Sequence, residues 1–244
     1  MTTNKYESSK KYWKYSWAKK IDSYLVNAPL IRNILRKGFI KWQSRRNSRK
    51  VKGHNNQILV QDSIVKNSIF DICGDDNTIK ISSQTIIENF TFYIRGSNHN
   101  IFIGSNCRFN QGGTVWIEDE GCSLTIGDNT LIIQADISLT EANSSIEIGK
   151  DCMISSDIDI RSGDSHSIID LSTGERVNQP GDIRIEDHVW IGAHARILKG
   201  VTIAKNSVVG MGAVVTKNVL SNTIVAGIPA KTVKTNITWD SKRI

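Results

Sequence analysis

No run of about 18 apolar residues occurs in this sequence, so no transmembrane helix is expected. The opening stretch MTTNKYESSKKYWK lacks the apolar segment of a secretory signal, and the chain is therefore expected in the cytoplasm. Cysteine is scarce: Cys73, Cys107, Cys122 and Cys152 stand singly, with no CxxC pair and no metal-ligand spacing. All four are expected as buried, reduced thiols that pack like small hydrophobes. Acids are nearly missing from residues 1–52, where Glu7 and Asp22 stand against fifteen Lys and Arg, a net charge of +13. The remainder holds sixteen basic and twenty-two acidic residues, a net of −6. The formal charge of +7 is thus the average of a basic arm and an acidic body, which need separate explanations.

What the arm does contain is helical periodicity. Trp13, Trp17, Ile21 and Tyr24/Leu25 recur every three or four residues, the spacing of one helix face. Pro29 interrupts that pattern. A second stripe follows at Ile31, Ile34/Leu35, Phe39 and Trp42, interleaved with Arg32, Arg36, Lys37 and Lys41. After Trp42, QSRRNSRKVKG reads as a charged linker. Residues 1–52 are therefore expected to form a basic amphipathic helical arm with its linker.

The body beats in sixes. Ile185, Ile191, Ile197, Ile203, Val209 and Val215 fall six apart without a slip. Six is neither a helical nor an alternating-strand period. It fits a coil with three flat faces, one aliphatic residue per face pointing inward, and Gly or Asn where the chain turns tightly. Upstream, GDDNTIKIS, GSNHNIFIGSN, EGCSLTIGDN and ANSSIEIGKD align at Ile81, Ile103, Ile126 and Ile148, separated by 22, 23 and 22 residues. These coils are longer than eighteen by four or five residues, expected at a corner. Ile160 to Ile185 is a gap of 25 residues filled by RSGDSHSIIDLSTGERVNQPGDIR, whose polar composition reads as a loop. One polar excursion from a rigid solenoid is where function is to be sought, and it contains His166.

The stretch DHVWIGAHARILKGVTIAKNSVVGMGAVVTKNVLSNTIVAGIPAKTVK, residues 187–234, strongly resembles the C-terminal half of hexapeptide-repeat acyltransferases, in particular the sugar and capsular polysaccharide O-acetyltransferases. The resemblance covers about residues 60–235 and implies a left-handed parallel β-helix of triangular section, a handedness that spacing alone does not give. The division expected is arm and linker at 1–52, β-helix at 53–235 with a catalytic loop at about 161–184, and a C-terminal tail at 236–244. The resemblance further implies a homotrimer, with acetyl-CoA in the grooves between subunits as acyl donor and a saccharide as acceptor.

Carried over residue by residue, SGDSHSI occupies the place of the family's catalytic-histidine loop, 24 residues before Trp190 of HVWIG. His166 is implied as the general base for a sugar hydroxyl, a role that suits an imidazole titrating near neutral pH. Asp164 is a candidate for shaping the loop or orienting the ring. Trp190 is implied as a cleft wall. Ala193 and Met211 match backbone contacts to the pantetheine arm, although Met211 stands where the family usually has Ala. Thr216 and Lys217 match the TK that reaches toward the nucleotide, and Lys231 and Lys234 fall where cations meet phosphates. No nucleophilic residue is needed, and none is evident.

The other histidines are set aside. His188 and His194 lie six apart, on successive faces, and lack the zinc-ligand spacing of the γ-type carbonic anhydrases that share this fold. No metal is expected. His54 and His99 are expected at the surface. Competing functions are N-acetylation of a nucleotide amino sugar, inactivation of an antibiotic, and a non-catalytic solenoid scaffold.

For the arm, packing on the body or on a neighbouring subunit competes with adsorption of residues 10–43 to an anionic membrane surface, since Trp, Phe and Leu on one face and Lys and Arg on the other suit the interface. Nucleic-acid binding lacks a supporting fold signature and is not expected. Adsorption predicts that deleting residues 10–43 abolishes co-sedimentation with anionic liposomes; unchanged co-sedimentation would leave packing as the account.

Overall fold

The computed structural model describes residues 29–243. The first arm stripe, Trp13 to Leu25, lies outside the described residues. By its contacts the chain divides into residues 1–42 and 43–244. The second arm stripe is a helix, α1 (Pro29–Gln43), with Lys41 in its last turn, where a cation meets the negative end of the helix dipole. Pro29 opens it, as a ring-fixed φ and a missing N–H permit in a first turn. Ile31, Ile34, Leu35 and Trp42 are exposed. Among the described residues no helix is long and apolar enough to cross a membrane.

From Ser48 to Ala226 the chain winds as the expected left-handed parallel β-helix with three faces. The first face stacks β1 (Ser48–Lys52), β4 (Ile69–Cys73), β7 (Phe90–Arg95), β10 (Gly113–Ile117), β13 (Ala135–Leu139), β16 (Ile158–Arg161), β19 (Arg196–Ile197) and β22 (Val214–Val215). The second runs from β2 (Gln57–Val60) through β14 (Ser145–Ile148) and β17 (Ile183–Ile185) to β20 (Thr202–Ile203). The third runs from β3 (Ile64–Lys66) through β18 (Trp190–Ile191) and β21 (Val208–Val209) to β23 (Ile224–Ala226), where β24 (Lys231–Lys234) folds back antiparallel.

The beat of six is the register of this core. Ile81, Ile103, Ile126, Ile148, Ile185 and Ile203 pair in one inward column of the second face. Ile154, Ile191, Val209 and Val225 form a column on the third, and Ile160, Ile197 and Val215 one on the first. All of these are at most 4 % exposed. Near the N-terminal end aromatic rings replace the aliphatics: Phe70 stacks on Phe92 at 4.9 Å, and Phe90 meets Phe109 edge-on at 5.0 Å.

Four sequence expectations are corrected. The extra residues of the upstream coils do not bulge at a corner. They lengthen two faces: on the first, β7 (Phe90–Arg95) has six residues and β10 (Gly113–Ile117) five where β19 (Arg196–Ile197) has two, and on the second, β14 (Ser145–Ile148) has four where β20 (Thr202–Ile203) has two. The supposed linker at 48–52 is strand β1, paired in parallel with β4; its Arg and Lys sit on an edge strand that is exposed throughout. Cys73 is exposed at the end of its strand, unlike the other three thiols, and burial pushes Cys107 up to about 11 and Cys152 up to about 12. His99 is buried: Nδ1 accepts the Cys122 N–H at 3.1 Å and Nε2 lies 3.1 Å from the Arg95 carbonyl. Those partners require a neutral ring, and burial lowers its pKa accordingly.

Corners use left-handed backbone. Asn106, Asn129, Asp151, His188 and Asn206 all have φ between 55° and 61°, a region that Asn, Asp and His tolerate better than other side chains. His188 is therefore a corner residue of the repeat, standing in the place held by Asp151 one coil earlier. Replacing the fully buried Phe92 by Ala is expected to cost about 3–5 kcal/mol, because a rigid ladder collapses poorly around a cavity; urea denaturation followed by circular dichroism measures it.

Candidate active site

The chain leaves the prism between β16 and β17. Paired coils elsewhere return after 16 to 23 residues, but Asp159 and its partner Arg196 are 37 apart. The excursion is a finger with internal order. Ile169 pairs antiparallel with Arg176, the Val177 N–H donates to the Ile168 carbonyl, and the Asp170 N–H donates to the Glu175 carbonyl. At its tip the Asp170 carboxylate accepts from the backbone of Ser172 and Thr173. Its apolar side chains face outward: Ile168, Ile169 and Val177 are exposed, and Leu171 is fully so at 101 %. This outward apolar surface does not follow from the polar composition of the segment.

A polar lock holds the base of the finger. Arg176 Nη1 lies 2.6 Å from Glu141 Oε2, and the other Glu141 oxygen accepts the Asp164 N–H at 3.2 Å. Lys199 Nζ, from the turn after β19, donates to Asp164 Oδ2 at 2.5 Å and to the Asn178 carbonyl at 2.9 Å. The Asn178 amide donates to Asp164 Oδ2 and to the His166 carbonyl, both at 2.8 Å. Its own oxygen accepts the Ile168 N–H at 2.7 Å. At Gly163 any Cβ would press on the Glu141 carboxylate, 2.7 Å away. Hydrogen bonds from Arg176 hold Glu141 below the ordinary carboxylate range, and hydrogen bonds from Lys199 and Asn178 do the same for Asp164.

His166 sits on this locked base with an exposed side chain, and no described residue hydrogen-bonds its ring. Asp164 is turned to Lys199 and Asn178, so it shapes the loop around His166 and does not hold the imidazole. Sequence reasoning missed Glu141, Arg176, Asn178 and Lys199. Nothing in their spacing marks them, because they come from the finger and from the two coils that flank it.

The remaining candidates lie elsewhere on the prism. Trp190 is on the outer side of the third face, 38 % exposed. Trp239 of the tail docks beside it: its ring stacks on His188 at 4.3 Å, its Nε1 donates to the His188 carbonyl at 2.7 Å, and it lies 6.1 Å from the Trp190 ring. Ala193 and Met211 occupy equivalent turns between the third and first faces, linked by the Gly212 N–H donating to the Ala193 carbonyl at 2.8 Å. Neither the Ala193 nor the Met211 N–H has a partner among the described residues, and Met211 is 75 % exposed. Between them Gly192 lies so close to the Met211 nitrogen that a Cβ would sit 2.7 Å from it. Thr216 and Lys217 are exposed in the turn after β22, at the corner from which the finger springs. Lys231 and Lys234 are exposed on β24. One chain thus brings His166 and Lys217 to one corner but places Trp190, Ala193 and Met211 across the prism. His194 is engaged by Asp157 at 2.7 Å, and among the described residues no group of three metal-ligating side chains stands together.

Residues 182–217 match the model of the bacterial transferase hexapeptide family, described as six repeats. The polysialic acid O-acetyltransferase of Neisseria meningitidis is 36 % identical over 147 residues, 52 % of this chain and 68 % of that protein. The chain belongs to the hexapeptide-repeat acyltransferases. The galactoside O-acetyltransferase of Escherichia coli (strain K12) is 30 % identical over 74 % of this chain and 71 % of its own length. Among solved structures, the polysialic acid O-acetyltransferase OatWY superposes with a TM-score of 0.75 at 33 % identity, covering 81 % of this chain and 92 % of that one. This hexapeptide acyltransferase therefore falls in the branch of saccharide O-acetyltransferases.

The lock has a pH signature. Both carboxyls titrate lower in the folded chain than free, so its contribution is complete above about pH 4.5 and is lost as pH falls through their depressed values. Amide exchange over residues 162–182, corrected for intrinsic rates, is expected to be slow at neutral pH and to accelerate selectively below about pH 4. Glu141→Gln is expected to accelerate it already at neutral pH, and unchanged exchange in that variant would rule the lock out.

Proposed function

We propose that this acyltransferase moves an acetyl group from acetyl-CoA to a hydroxyl of a polysaccharide or its precursor, with His166 as general base. The observation that carries the reading is the locked, outward-facing finger that presents an unengaged imidazole. Its kinship with polysialic acid and galactoside O-acetyltransferases supports the saccharide acceptor.

The acyl donor is a substrate, and the residues present suit it. Unpartnered N–H groups at Ala193 and Met211, with no side chain on Gly192, offer donors to an amide-rich arm that approaches the backbone closely. The bulk of Met211 is tolerated because its side chain projects into solvent. Lys231, Lys234 and the Thr216–Lys217 pair supply cations and donors for phosphates. Trp190, held against Trp239, forms the wall of the same groove.

Trp190, Ala193 and Met211 lie across the prism from His166 and Lys217, and the exposed apolar finger is a surface that a second copy can cover. A homotrimer satisfies both conditions, each finger carrying His166 to the neighbour's Trp190 groove. The imidazole nitrogen takes the hydroxyl proton as the oxygen attacks the thioester carbonyl. The new C–O bond forms, the C–S bond breaks, and the leaving thiolate recovers the proton. Backbone N–H groups are the donors available to the oxyanion. No metal takes part in this route. We place the enzyme in the cytoplasm, where adsorption of residues 10–43 to the inner membrane surface, the alternative to their packing on a subunit, would bring it next to a growing surface polymer.

Purified protein with labelled acetyl-CoA and a glycan panel that includes polysialic acid tests this. His166→Ala is expected to lower transfer by about 10²–10⁴-fold while CoA still raises the melting temperature, because the general base and the cofactor groove are separate groups. Activity within about threefold of wild type would overturn the role of His166.

A further inference from the structure

Outside the finger, one part of the surface is built beyond what the prism needs. On the outer side of the first face, Asp71, Tyr93, Trp116, Ser138 and Arg161 occupy one row, each paired in register with the next. The Tyr93 and Trp116 rings lie 4.2 Å apart, and Trp116 is 39 % exposed. The Arg95 guanidinium covers Tyr93 at 3.7 Å. Its nitrogens bind the Asp71 carboxylate at 3.0 Å, the Asp71 carbonyl at 3.1 Å and the Ile94 carbonyl at 2.8 Å. Buried His99 in turn holds the Arg95 carbonyl.

None of this is demanded by the core, whose first-face columns face inward through Phe92, Val115 and their neighbours. It is a rigid aromatic shelf with fixed polar edges. Tyr93 is covered by Arg95 and packs on Trp116, so the exposed Trp116 is the ring on which the C–H groups of a pyranose can rest, with the Asp71–Arg95 pair as a polar edge for its hydroxyls. Trp116 packs on a Tyr93 that Arg95 fixes, so it loses little freedom when a sugar lands on it.

The row also leads somewhere. Beyond Trp116 the next side chain is the small Ser138 and then Arg161, the last residue of β16, from which the chain runs into the His166 finger. Two strand spacings separate the Trp116 and Arg161 rows, about 10 Å. A polymer lying along this row would run from the shelf toward the base of the finger that carries His166.

We propose that Tyr93 and Trp116 form a remote acceptor subsite that binds a pyranose unit of the polysaccharide several sugars from the one acetylated, a proposal that rests on the polysaccharide O-acetyltransferase reading. The subsite makes the enzyme favour long acceptors without touching the reacting atoms.

The test compares full-length wild type with Trp116→Ala, Tyr93→Ala and the conservative Trp116→Phe on polysialic acid of graded length. The two alanine variants are expected to raise KM for long chains about three- to tenfold, leaving kcat and the KM of short oligomers unchanged, with Trp116→Phe close to wild type. Equal KM at every length in variant and wild type overturns the subsite. A smaller assembly for Trp116→Ala in sedimentation velocity also overturns it, since the shelf is then a contact between subunits. Calorimetric binding of long polysialic acid to His166→Ala separates this proposal from the functional reading. If wild type acetylates no polysialic acid, that reading fails, and binding that is lost in His166→Ala/Trp116→Ala still supports the shelf. Absence of binding to His166→Ala overturns it.

Discussion

Each inward aliphatic side chain rests on its counterpart in the coil before, and everything else in the molecule is arranged around that contact. The column from Ile81 to Ile203 closes only if every coil brings the chain back to the same inward point. The chain meets this condition with coils of different length. Upstream, longer strands on two faces absorb the added residues, and downstream the coil contracts to eighteen. What must stay constant is the corner, so left-handed Asn, Asp and His recur there at positive φ. The burial is nearly continuous along the axis and supplies the dominant stabilising term, as in any solenoid whose repeats cannot bury their apolar faces alone.

That rigidity explains how the finger can be both exposed and ordered. It adds no aliphatic residue to the columns, and its apolar side chains point away from its own prism. Polar contacts hold it instead: Glu141 with Arg176, and Asp164 with Lys199 and Asn178. Such partly exposed charge pairs add little to global stability. They are directional, however, and three of the five residues come from the finger while Glu141 and Lys199 come from the coils that flank it. The geometry of His166 is thereby tied to the frame.

The columns were legible in the sequence because a solenoid repeats its inward contact at a fixed interval, and Ile185 to Val215 carry that interval without a slip. The break at Ile160 was legible for the same reason. What the repeat does not encode is anything formed between coils. The lock joins Glu141 to residues more than twenty positions away through side chains common on any surface, and no periodicity marks them. His99 reads as a surface residue because its corner is polar, whereas its burial follows from the Arg95 carbonyl and the Cys122 N–H on either side of the ring. Ser48–Lys52 reads as linker because an edge strand needs only one partner, and its charges are typical of an edge protected from further pairing.

The placement of the candidate groups constrains the assembly more than their identity does. The finger springs from the corner between the first and second faces, and on a triangular prism that corner is opposite the third face, where Trp190 stands. A site that needs both cannot close within one copy unless the finger wraps around the prism, yet its base is locked to its own corner and its tip is exposed. In the proposed trimer two copies side by side would resolve the conflict, and a ring of three would leave no finger and no groove unused. The shelf of Tyr93 and Trp116 stands on the first face, which borders the corner that carries the finger. In the proposed assembly a polymer lying on that face would approach His166 from the finger's own subunit while the acyl donor came from the neighbour, so the two substrates would reach the reacting centre from different copies and need not displace one another.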